Sequence, residues 1–271
     1  MTAELVGASL HRIRTVVRRH VLLYSRSPMR LLDLLFWPVM ELFLWGFLTV
    51  YFRGRRFDDG GRLLLNLMNA VVLWDVLYRS QQSVSLAFME ELWMRNVMNL
   101  FVSPLRVWEW VAGACVTGLV RVTFVVLLLF GLAAGLYGFD PRALGLRVIP
   151  YAAELLIMGW AMGLFTTGIL LRWGYSAEGL IWAIPFLVQP FSAIFYPLSV
   201  YPPWLRPICA LLPSTHVMEG VRRSVETGVF AAGPAWTALA LDGVFLAAGA
   251  FFCARMLENG RVTGRIVRMT E

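Results

Sequence analysis

A chain of 271 residues that is 59% hydrophobic and 15% charged departs from soluble domains, which run about 45–50% apolar and ~25% charged, and reads as an integral membrane protein in one polytopic domain. Its net charge is +7 and all 24 basic residues are arginine, which excludes a Walker-type phosphate loop and Schiff-base chemistry, because both need a lysine. The arginines form no stripe interleaved with exposed aromatics, so the basic excess marks membrane orientation and not nucleic-acid binding.

Residues 1–30 carry arginines throughout and no cleavage site, so they are not a signal peptide. Val6, Leu10, Ile13, Val17, Val21 and Tyr24 recur at helical pitch. Arg12, Arg18 and Arg19 point away from that stripe, which predicts an amphipathic helix lying in the interface with its basic face toward anionic headgroups. A helix packed on protein is the alternative. Ser27-Pro28 then breaks the helix.

A crossing helix needs about 20 mainly apolar residues. Six candidates follow, at 31–52, 63–86, 107–138, 148–171, 179–199 and 234–256, with a tail at 257–271. The second is diluted by Asn66, Asn69, Asp75, Arg79, Gln81 and Gln82, and the third is long enough to tilt or to emerge into water. Both tails are basic, which favours an even number of crossings and two cytoplasmic ends.

The stretch "ELWMRNVMNLFVSPLRVWEWVAG" (91–113) lies between two apolar spans. Phe88, Trp93, Val97 and Leu100 recur on one side of a helix, Glu90, Glu91, Arg95 and Asn99 fall elsewhere, and Ser103-Pro104 ends the run. The spacing predicts a short amphipathic helix over 88–105, parallel to the membrane on the cytoplasmic side.

Glu41, Asp75, Arg79, Arg121, Glu154 and Asp242, with Asp33, fall inside the expected spans. A charge at mid-bilayer costs at least ~2.5–3.5 kcal/mol, so such groups face protein or water and have partners. Asp75 and Arg79 are four apart and can pair. Glu41 follows Pro38, where a broken helix leaves backbone groups to satisfy. Arg121, read as mid-span, needs a carboxylate from another helix, with Glu154 and Asp242 as candidates. The set is read either as a polar translocation path or as inter-helix glue. Gly131-x-x-x-Gly135 and Gly159-x-x-x-Gly163 are close-packing signals. Trp37, Trp45, Trp160, Trp173 and Trp182 belong to interfacial belts or stack on a flat substrate.

Catalytic signals are thin. Ser214, His216 and Glu219 lie close together without a nucleophile elbow, His216 and Glu219 supply too few ligands for a metal, and Cys115, Cys209 and Cys253 form no CxxC pair. No catalytic residue, bound cofactor or metal site is therefore assigned to this chain.

Two stretches carry a resemblance. "FMEELWMRNVMNLFVSPLRVWEWVAG" (88–113) resembles the segment after the second span in permeases of type-2 ATP-binding-cassette (ABC) exporters, with acidic residues at Glu90, Glu91 and Glu109 and a Ser103-Pro104-Leu105 turn. "AIFYPLSVYPPWLRPICALLPSTHVMEGVR" (193–222) is similar to the family's segment after its fifth span. Where the family often has Gly-Thr-Leu after the acidic pair, this chain reads Met94-Arg95-Asn96-Val97.

The resemblance implies an all-α permease with six transmembrane helices, an N-terminal interfacial helix, a cytoplasmic coupling helix at 88–105 and short outer re-entrant helices within 202–230. Glu90, Glu91, Arg95, Asn99, Ser103, Pro104 and Leu105 would form the ATPase coupling surface. Two copies of the chain would line the path in a bacterial plasma membrane. Two copies of a separate ABC ATPase subunit would hold ATP and magnesium. A secondary transporter, which calls for inverted repeats, and a membrane-embedded transferase are the alternatives. The cargo, whether glycan, lipid, drug, haem or ion, is not legible.

Overall fold

The computed structural model describes the backbone of residues 2–53, 60–138 and 145–264, and within these all side chains except those of residues 2–6, 33, 49, 52–53, 60–68 and 101. The described residues contain helices and no strand. In chain order these are α1 (Thr2–Ser25), α2 (Pro28–Arg53), α3 (Gly60–Trp93), α4 (Val97–Val102), α5 (Val107–Tyr137), α6 (Val148–Trp173), α7 (Leu180–Val188), α8 (Arg206–Cys209), α9 (Pro213–Thr227) and α10 (Ala232–Val262).

The fold is built around α3 and α6. Between Asn69 and Leu92 only Tyr78, Gln82 and Leu86 are less than fully buried. In lipid the hydrophobic effect does not press helices together, so association depends on close packing and satisfied polar groups. Gly159 and Gly163 of α6 supply the first: a Cβ at Gly159 would lie 2.6 Å from the Leu77 carbonyl oxygen, and one at Gly163 would lie 2.7 Å from that of Gln81. The polar residues of α3 supply the second. Arg79 Nε donates to Asp75 at 2.8 Å, Gln81 Nε2 donates to Thr166 Oγ1 at 3.2 Å, and Ser83 Oγ donates to the Ser80 carbonyl at 2.7 Å.

Among the described residues four helices are long and apolar enough to cross a membrane: Pro28–Leu48, Val107–Tyr137, Gly145–Ala177 and Ala232–Val262. The third is 72% buried, whereas the others are 18–22% buried. α6 is therefore central, while α2, α5 and α10 turn apolar flanks outward, including Phe47, Leu127 and Phe251.

Several expectations need correction. Pro38 does not break α2, which is continuous across it. The fifth apolar stretch is a short helix, Leu180–Phe191, and not a helix over 179–199. Pro185 and Pro190 interrupt its backbone donors, and Ala193 turns left-handed at φ 50°. The amphipathic stretch over 88–105 divides in two. Residues 88–93 belong to α3, Arg95 takes φ 51°, and only Val97–Val102 forms the separate helix. Within 202–230 the short helices are α8 and α9, the latter ending at Gly228 in a left-handed turn. Of the tail, Val262 still belongs to α10, and Arg265 and Arg268 lie outside the described residues.

Candidate functional site

The stripe expected on α1 is rotated. Leu10 and Val21 are exposed, while Ser9, Val16 and His20 are buried. Val16 fills the space beside Gly113 of α5, where a Cβ would come within 2.6 Å of it. This rotation turns Arg12 and Arg19 inward and leaves Arg14 and Arg18 outside. Burial holds the imidazole of His20 below its ordinary 6.5, and its Nδ1 lies 2.9 Å from the Val16 carbonyl.

The inward arginines meet the acidic positions. Arg19 grips Glu91 with both terminal nitrogens, at 2.5 and 3.1 Å. Arg12 lies 2.9 Å from Glu109, and Arg30 of α2 lies 3.4 Å from Glu90. Tyr24 Oη also donates to Glu90 at 3.4 Å. All three carboxylates are buried, Glu109 and Glu91 at 0% and 1% exposure. Glu90 and Glu91 end α3, while Glu109 caps the start of α5 by accepting from the Arg106 amide at 2.9 Å. The N-terminal helix is thus strapped across the two long helices that flank α4.

Asn96 Nδ2 donates to Glu91 at 2.6 Å, and Asn99 Nδ2 donates to Asn96 Oδ1 at 3.0 Å, extending the network into α4. Ser103 Oγ closes α4 by donating to the Leu100 carbonyl at 2.7 Å. Pro104 and Leu105 then lead into α5. Trp93, Met94, Arg95, Met98, Asn99 and Val102 are exposed. Of the expected coupling residues, Arg95 and Asn99 therefore face outward, whereas Glu90 and Glu91 are buried inside the chain's own ion pairs. The arginine partners were not legible: one helix's periodicity does not say which distant carboxylate it meets.

A cleft of about 430 Å³ opens beside this network, its wall including Glu41, Arg79, Arg121, Trp37, Trp182 and Phe186. It unites three of the expected path residues, and Asp75 stands behind Arg79 in the predicted pair. The partly buried residues of α3 between Asn69 and Leu92, Tyr78, Gln82 and Leu86, all line it. One expectation fails here. Arg121 is not paired with Glu154 or Asp242; its guanidinium lies 3.7 Å over the Tyr24 ring. Arg121 stands midway along the apolar helix Val107–Tyr137, and the ring it meets there belongs to α1. Glu154 and Asp242 neighbour each other, buried on α6 and α10 away from the cleft wall. The side chain of Asp33 lies outside the described residues.

At the far segment Ser214, His216 and Glu219 do not converge. Ser214 Oγ donates to Ser192 Oγ at 2.8 Å, His216 Nε2 lies 2.8 Å from the Ala210 carbonyl, and Glu219 accepts from the Leu198 amide at 2.7 Å. Arg222 reaches the carbonyls of Ala193 and Ile194. These side chains tie the irregular stretch after α7 to α9 and do no evident chemistry.

Comparison with known proteins matches residues 11–225 to a family model described as ABC-2 type transporter. No curated protein matches the chain.

Proposed function

The chain belongs to the ABC-2 type transporter family and is a membrane permease component of an ABC transporter, and from that premise we propose that it is an exporter subunit driven by a separate ATPase. Two copies line the path and two ATPase subunits, which hold ATP and magnesium, bind beneath them. α3 and α7 complete six crossings with α2, α5, α6 and α10. α3 can do so because Asn69, Asp75, Arg79 and Gln81 are buried in protein. α1, α4 and both termini lie on the cytoplasmic side of a bacterial inner membrane, and α8 and α9 form the outer re-entrant segment.

The observation that carries this reading is the strap of ion pairs around α4. Arg12, Arg19 and Arg30 fasten the end of α3 and the start of α5 to α1 and α2. A displacement of α4 is then passed to two long helices instead of being absorbed in a loop. Arg95, Met98 and Asn99 form the grip, and Ser103, Pro104 and Leu105 set the angle at which α4 meets α5. Closure of the ATPase pair supplies the displacement, and the two states differ in how α4 is held.

The test is co-purification with the ATPase of a neighbouring reading frame, followed by transport in vesicles. Arg95→Glu with Met98→Asp should leave insertion intact and cut ATPase stimulation at least about tenfold, the loss of ~1.4 kcal/mol of contact. Unchanged stimulation, or transport with no ATPase present, overturns the reading.

A further inference from the structure

The charges on the cleft wall do not balance locally. Arg79 is answered by Asp75 at 2.8 Å and Arg30 by Glu90 at 3.4 Å. Glu90 also accepts from Tyr24. Arg121 has no ion pair among the described residues, and its Nε is buried without a hydrogen-bond partner. Glu41, the other carboxylate on the wall, has Asp75 and Arg79 as its charged neighbours. The α1 end of the cleft therefore holds two guanidinium groups, of Arg30 and Arg121, around one carboxylate.

A desolvated cation that must share one carboxylate with a second cation is costly in a membrane protein and marks a functional position. The Tyr24 ring holds Arg121 in place by a cation–π contact that uses none of its N–H donors. A planar guanidinium with free donors matches phosphate and carboxylate oxygens. Beyond it, Trp37, Trp182 and Phe186 give the cleft an aromatic wall, and about 430 Å³ is the size of a small-molecule site.

Resting on the export reading, we propose that this cleft takes an anionic amphiphile, its phosphate or carboxylate head held by Arg121 and its apolar body lying along the aromatic wall. A lipid-linked headgroup and a free acidic amphiphile share this chemistry. Neutral and cationic cargo leave the second guanidinium at the α1 end unbalanced and are disfavoured.

The test uses the purified full chain in nanodiscs of neutral lipid, titrated with dodecyl phosphate, dodecyltrimethylammonium or inorganic phosphate and read by native mass spectrometry. One saturable dodecyl phosphate adduct is expected, with the other two probes at least about tenfold weaker. Arg121→Gln should weaken that adduct at least about tenfold, Arg121→Glu should transfer the preference to dodecyltrimethylammonium, and Arg18→Gln on the exposed face of α1 should change nothing. Equal binding of dodecyl phosphate and inorganic phosphate would reduce the cleft to a simple anion site and overturn the proposal. So would equal binding of the cationic probe, or an Arg121→Gln chain that binds as the parent does. Should the Arg121 variants fail to fold, Trp182→Ala carries the test: it should weaken dodecyl phosphate binding, and no effect counts against the aromatic wall. The assay needs neither ATP nor partner. Absent binding beside intact ATP-driven transport sinks the head-group site alone, whereas binding without ATP-dependent transport sinks the export reading.

Discussion

Gly159 and Gly163 share a spacing with Gly131 and Gly135, yet the two pairs do different things. The first pair meets backbone at 2.6 and 2.7 Å, while the second has nothing within 4 Å of a built Cβ. Backbone cannot rotate away as a side chain can, so Gly159→Leu should cost at least about 1–3 kcal/mol and lower the melting temperature in detergent. Gly135→Ala should leave it unchanged or slightly raised, since alanine is the better helix former. Sequence spacing alone marks both pairs as packing signals and does not say which has a partner. Arg95 teaches a related lesson. Its left-handed backbone, φ 51°, is one that glycine adopts freely, and glycine is what the resembling permeases often carry near this point. The departure visible in the sequence thus falls at the bend that separates α3 from α4.

At the scale of elements, α1 is the part most altered between sequence and structure. Its helical character and its end at Ser25 follow from the stripe and from Ser27-Pro28. Its rotation does not, because that is set by contacts from far along the chain: Gly113 receives Val16, and Glu91 and Glu109 receive Arg19 and Arg12. The pairing of Asp75 with Arg79 was legible because both lie on one helix. The stacking of Arg121 on Tyr24 was not, since nothing local links α5 to α1. If the strap is a coupled unit, Arg19→Ala should cost ~1–3 kcal/mol by leaving Glu91 buried and uncompensated, a figure tempered by the partial exposure of Arg19. Arg19→Ala combined with Glu91→Gln should recover part of that loss. A double-mutant cycle on thermal unfolding, with protease cleavage of α1 as a second probe, measures the coupling. Additive losses would mean that the two side chains act independently.

For the whole molecule, the six crossings proposed above would place α1 and α4 on one side of the membrane and α8 on the other. In a background with Cys115, Cys209 and Cys253 replaced by alanine, Arg14→Cys and Met98→Cys should react with an impermeant thiol reagent from the same side, and Trp204→Cys from the opposite one. All three sites are exposed. Arg14→Cys and Met98→Cys labelled from opposite sides would show that α3 does not cross. The helix on which that outcome turns is also one of the two around which the fold is built. Asp75 and Arg79 make α3 a poor candidate for release into lipid on its own, each adding roughly +2.5 to +3.5 kcal/mol on insertion scales, and its shelter is provided by α5 and α6, which are synthesised after it. If α3 crosses as proposed, its insertion depends on helices that emerge after it, and a nascent chain halted before residue 138 lacks the shelter of α6.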